Sequence, residues 1–145
     1  MLKIRIFLVS ALVMFAAVSS YAEDDLQSQL KDYFNKTAQK VIHTENPAKK
    51  RAILNESFDG LLKAFNSASE MPLSDKDREG VKYFKKIIQQ KKDELNGLNG
   101  YNKIADSNLD QFALFSMQQF EQSAQYITIS IVTLLLIIIL IVLLV

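Results

Sequence analysis

No cysteine occurs in the 145 residues, histidine occurs once, and proline and glycine number only two and four. Without cysteine there is no disulfide, no thiol nucleophile, no thiolate zinc site and no cysteine to carry a lipid, so the fold has to stand on packing. Excess charge of either sign is missing as well. Apart from Lys3 and Arg5, the charge lies between two apolar ends, where fifteen Lys and Arg meet sixteen Asp and Glu for a net of −1. Such a mixture gives no electrostatic footing on nucleic acid, which requires a basic excess on one face. Paired carboxylates at metal or glycosidase spacing are also lacking: Glu56 with Asp59, Asp75 with Asp77 and Asp93 with Glu94 alternate with lysines, as solvated helix faces do. His43, the first candidate for a general base or metal ligand, falls at the end of an expected helix, where an imidazolium complements the helix dipole. The sequence thus leads us to expect no enzyme, no cofactor and no metal.

Hydrophobicity is concentrated at the ends. From Ile127 to Val145 nineteen residues carry no charge, proline or glycine. At 1.5 Å per residue they would span roughly 28 Å as a helix, which matches the hydrocarbon core of a bilayer. Past Thr133 every residue is Leu, Ile or Val, so no face is left for water. Residues 126–145 are therefore expected to form a C-terminal transmembrane anchor, with nothing folded beyond it. A GPI-type signal is the minor alternative, because Ser123-Ala124 lacks the polar spacer before the tail. At the other end Lys3 and Arg5, the apolar stretch Ile6 to Val18 and the small-x-small Ser20-Tyr21-Ala22 read as a secretory signal over residues 1–22, with cleavage after Ala22 favoured over retention. The positive-inside tendency then places residues 23–125 on the periplasmic or extracellular side of the cytoplasmic membrane, held by a single pass.

Within 23–125 apolar residues recur at three and four, the spacing of helices. Leu26, Leu30, Phe34, Val41 and Ile42, with Tyr33, Thr37 and Ala38 beside them, line a helix from about Asp25 to Thr44. Asn46-Pro47 starts a second helix whose stripe is Ile53, Leu54, Phe58, Leu61, Leu62 and Phe65 and which fades around Asn66 to Ser69. After the connector Met71-Pro72-Leu73, Ser74-Asp75-Lys76-Asp77 caps a third helix bearing Val81, Phe84, Ile87, Ile88 and Leu95, which Gly97 closes. Leu98 to Asp106 is the least helical piece. Ser107-Asn108-Leu109-Asp110 repeats the cap signal, and Leu109, Phe112, Ala113, Ser116, Phe120 and Ile127 mark a fourth helix. With no breaker after Asp110, that helix and the anchor are expected to form one rod of about thirty-five residues, roughly 50 Å long. The fold class expected is all-α, an up-and-down bundle of about four helices whose last member continues into the transmembrane helix.

Two surfaces stand out as candidates. The juxtamembrane stretch Gln111 to Gln125 carries five glutamines and three phenylalanines, and Phe115, Gln118, Gln119, Gln122 and Gln125 form a possible interaction or self-association surface, since amides hydrogen-bond between helices. The plainer reading is that this helix is central in the bundle and touches neighbours on several sides. Lys82, Lys85, Lys86, Lys91 and Lys92 form a possible basic patch for anionic headgroups or an acidic partner, against the plainer reading of a hydrated face. Lys49-Lys50-Arg51 is a second, shorter cluster of the same kind. Asn35-Lys36-Thr37 and Asn55-Glu56-Ser57 match the N-glycosylation acceptor, a weak signal in a chain rich in Asn, Ser and Thr. The function expected is a membrane-anchored, exported, non-enzymatic interaction or accessory subunit that has the membrane and a protein partner, or a second copy, as its contacts and no nucleic acid. The alternative is a bundle holding an apolar or lipid-like ligand among Phe34, Phe58, Phe65, Phe84 and Phe112.

Overall fold

The computed structural model describes residues 21–126 and 131–144. The expected signal lies outside the described residues except for Tyr21 and Ala22, which open the first helix. Five helices follow: α1 Tyr21–Ile42, α2 Pro47–Ser69, α3 Asp75–Asn96, α4 Leu109–Tyr126 and α5 Ile131–Leu144, with a 3-10 turn at Asp106–Asn108 leading into α4. No strand occurs among the described residues, and the all-α bundle stands.

Local chemistry sets most of the boundaries. Asn46 holds an extended backbone (φ −77°, ψ 119°) and its side-chain oxygen accepts the Lys49 amide at 3.1 Å, with Pro47 in the first turn where no hydrogen bond is forfeited. Ser74 accepts the Asp77 amide at 3.1 Å, and Asp75 and Asp77 place negative charge in the first turn of α3. Gly97 ends α3 in the left-handed region (φ 68°, ψ 43°), with its amide on the Asp93 carbonyl. The expected cap at Ser107 does not form. Its hydroxyl turns to Asn108 Oδ1 at 3.2 Å, and the chain enters α4 through the 3-10 turn.

From Tyr33 to Phe120 every residue of the expected apolar stripes is buried or half-buried, and Phe34, Val41, Leu54, Phe58, Leu61, Phe65, Val81, Phe84, Ile88, Leu95, Leu109 and Phe120 are at most 3% exposed. Rings fill the middle: Phe34 and Phe58 meet Phe120 at centroid distances of 5.5 and 5.9 Å, Phe58 also meets Phe112 at 6.4 Å, and Phe65 stacks on Phe84 at 5.2 Å. The central helix is α2 and not α4, because α2 packs against each of the other four. That explains a buried face wider than its apolar stripe. Ser57, Gly60, Ala64 and Ala68 are buried too, and Ser57 meets Tyr33 of α1.

The described helices do not form the expected rod. α4 ends at Tyr126 and α5 begins at Ile131, with the intervening residues outside the described set. Lys31 pairs with Glu121 at 2.8 Å and Phe34 lies on Phe120, so this part of α1 is abreast of residues 120–121 of α4. A straight helix would carry Ile141 about 30 Å beyond Glu121, yet Ile138, Ile141 and Val142 face Gln29, Asp32, Tyr33 and Lys36 of α1 across one cleft. The chain has doubled back, and α5 lies along α2 and α1. The physical reason is that an all-round apolar helix is served by a bundle groove as well as by lipid, and periodicity does not separate the two. Among the described residues no helix is long and apolar enough to cross a membrane.

Candidate functional site

On α4 the inward side is packed solid. Phe112, Ala113, Ser116, Met117, Phe120 and Ser123 are all buried. Met117, outside the stripe of Leu109, Phe112, Ala113, Ser116 and Phe120 that spacing marks, belongs to the core because α4 packs on α1, α2 and α3 together. The Ser116 hydroxyl is buried without a hydrogen-bond partner. Since an unsatisfied buried hydroxyl is costly, Ser116→Ala is expected to raise the unfolding free energy by about 1 kcal/mol, read by urea titration.

The outward side of α4 is where the expected interaction surface falls. Phe115 is 60% exposed and Leu114 41% exposed, with Gln111, Gln118 and Gln122 exposed beside them. Gln119 is half-buried, and the side chain of Gln125 lies outside the described residues. Phe115, Gln118 and Gln122 are three and four apart and so share one helix face.

The five lysines of the expected basic patch divide. Lys82 and Lys86 are exposed and Lys85 half-buried on the outer side of α3. Lys91 binds Glu94 at 2.7 Å and sits 5.9 Å over the Phe112 ring, while Lys92 binds Asp59 of α2 at 2.5 Å. The two clusters of the sequence thus supply ties between elements. Lys50 binds Asp110 across to α4. Arg51 donates to the carbonyls of Leu95 and Ile104 and to Asp106 at 2.8 Å, fastening the end of α3 and the following loop to α2. Asn55 and Asn96 exchange a pair of amide hydrogen bonds at 3.2 and 2.7 Å, so the Asn55 amide is engaged between helices. His43 is exposed, with Nδ1 on the Gln39 carbonyl at 2.8 Å. Among the described residues no group of three or more His, Asp or Glu is placed to hold a metal ion.

Long-range partners of this kind have no sequence signal, and neither does the contact between α5 and the start of α3. There the Thr133 hydroxyl donates to the buried Asp77 carboxylate at 3.0 Å.

Tyr33 joins α1 to α2 through a 3.2 Å hydrogen bond between its phenol and the Ser57 hydroxyl. Burial pushes the phenol pKa above its usual 10, against the opposing pull of the hydrogen bonds to Ser57 and Thr37. The Lys31 ammonium is raised above 10.5, first by its hydrogen bond to Glu121 and then by the attraction between the two charges. Both groups hold their proton more tightly when folded, so the stability they contribute is whole below pH about 10 and is lost as pH rises through the native pKa values. Tyr33→Phe is expected to cost about 1 kcal/mol at pH 7 through the lost Ser57 bond. The variant should also flatten the fall in stability above pH 10, as followed by urea titrations between pH 7 and 11.

Comparison of the chain with protein-family models, with the curated proteins and with the solved structures finds no match.

Proposed function

We propose that this chain is an exported helical bundle held at a membrane by its C-terminal apolar run, acting there as a non-enzymatic interaction or accessory subunit. The observation that carries the reading is the side of α5 left uncovered. Ile137, Ile138 and Ile141 are buried against the bundle, yet Val142 and Leu143 are 75% and 65% exposed. α5 belongs to a run of nineteen uncharged residues and has apolar surface still to satisfy, and a bilayer is the environment whose thickness that run would match if helical throughout. The partner surface in this reading is Leu114, Phe115, Gln118 and Gln122 on α4.

The non-enzymatic part rests on what the ionisable groups do. Glu121, Asp110, Asp106, Glu94 and Asp59 are each paired with a Lys or Arg, and all but the Lys91–Glu94 pair within α3 join two elements. The aromatic positions that a lipid-lined pocket would use are taken up by ring–ring contact, which favours the interaction reading over the ligand-binding one.

Absence of cysteine makes the test direct. The chain carrying Lys86→Cys, expressed from its own N-terminus, should be labelled in intact cells by a membrane-impermeant maleimide. A photoreactive residue at Phe115 should cross-link to a discrete partner or a second copy in membranes. Phe115→Asp should abolish that product while stability stays within about 0.5 kcal/mol, as expected for an exposed position. Labelling only after lysis would overturn the export, and cross-linking to lipid alone would overturn the partner surface.

A further inference from the structure

Three features of α5 point the same way. Its contact with α1 is incomplete: a cleft of about 280 Å³ opens between Ile138, Ile141 and Val142 on one wall and Gln29, Asp32, Tyr33 and Lys36 on the other. Apolar side chains there face amide, carboxylate and ammonium groups, a poor match for a permanent core contact. Its outer side is apolar and open at Val142 and Leu143. Toward its start, Thr133 donates to the buried carboxylate of Asp77. The other end, near Ile141 and Val142, borders the open cleft.

We propose that α5 is a two-position element, seated in the groove of α2 and α1 in the arrangement described above and transferred from it into a lipid bilayer, with the Thr133–Asp77 contact as the latch that breaks on transfer. This rests on the anchoring reading and adds that the anchor is stored on the bundle itself. In the seated position Ile137, Ile138 and Ile141 are withdrawn from water. In the inserted position every face of the helix meets hydrocarbon, so transfer gains contacts for the outer side that the groove never covers. A bilayer shifts the balance only because it takes up the released helix and has no hold on the seated one. Loss of the seated helix then uncovers the part of α2 on which it packs, so the anchored form offers an additional surface.

The test holds α5 in place. Asp32→Cys and Val142→Cys place two thiols on exposed positions that line opposite walls of the cleft, and a short bis-maleimide bridges them in the full chain. Binding is read by flotation with phosphatidylcholine vesicles. The same double variant capped with a monofunctional maleimide should float, and the bridged form should bind at least about tenfold less, because the released state is removed from the equilibrium. Thr133→Val should raise the vesicle-bound fraction severalfold in the unbridged chain and leave the bridged chain unchanged. Equal flotation of bridged and capped protein overturns the exchange while leaving the anchor standing. Failure of the capped protein to float overturns the anchoring reading and the exchange with it. A pair that does not bridge shows that α5 is not seated in solution and overturns the exchange as well.

Discussion

Phe58→Ala is expected to lower the unfolding free energy by about 3–5 kcal/mol, the cost of emptying a buried aromatic site whose surroundings relax only in part. The position is fully buried, on the helix that touches all the others, with its ring against Phe112 and Phe120. Removing the ring leaves those two α4 rings without a partner from α2, and Phe120 is also the ring on which Phe34 of α1 rests. The change therefore loosens the contact among α1, α2 and α4 at one point. Set against a total of about 5–15 kcal/mol for a small domain, such a loss leaves the chain close to its unfolding threshold. Circular dichroism at 222 nm during urea titration measures it. Phe115→Ala, on the exposed side of α4, is the internal contrast and should change stability by less than about 0.5 kcal/mol.

Gly97→Ala should be costly for a different reason. The residue sits at φ 68°, and an added Cβ would lie 2.8 Å from both Cβ and the backbone nitrogen of Lys103 and 3.0 Å from its Cα. Left-handed backbone alone costs a side-chain-bearing residue about 1–2 kcal/mol. The clash adds to it, because the atoms met include backbone of a loop that Arg51 fastens through the Ile104 carbonyl. Gly100 separates the two contributions. It is also left-handed, at φ 87°, but a Cβ there meets nothing within 4 Å. Gly100→Ala should show the backbone cost of about 1–2 kcal/mol alone, and Gly97→Ala should exceed it by about 1 kcal/mol or more. Equal losses would mean that the approach of Lys103 to Gly97 does not constrain the loop.

The contrast between these glycines and the helix caps says what was readable from residue order. Asn46-Pro47, Ser74 and Gly97 act on backbone within four residues of themselves, so their role follows from local chemistry, and the boundaries of α2 and α3 follow with them. The apolar stripes were legible for the same reason, since period alone places Phe34, Phe58, Phe84 and Phe112 on inward faces. Partner choice was not. Nothing local to Arg51 announces Leu95, Ile104 and Asp106, and nothing local to Asp77 announces Thr133. Ser57, Gly60, Ala64 and Ala68 carry little hydrophobic signal, so the breadth of the buried face of α2 stayed hidden, and with it the identity of the central helix. The largest difference, α5 folded back where a rod was expected, has one physical root. A Leu, Ile and Val helix has the same pattern whether its surroundings are lipid or other helices. The candidate interaction face on α4 was legible as an excess of glutamine and phenylalanine, and spacing alone set Phe115 apart from Phe112 and Phe120, but the burial of Met117 and the half-burial of Gln119 required the packing of α4 on three neighbours.

Integration of the apolar run into a membrane is the central claim, and alkaline carbonate extraction of membranes from cells making the unaltered chain tests it most directly. The account predicts that the chain stays in the membrane pellet through the wash. Quantitative release into the supernatant, with the protein recovered as a folded bundle after neutralisation, would contradict it and would leave α5 as a fifth helix of the bundle with no anchoring role.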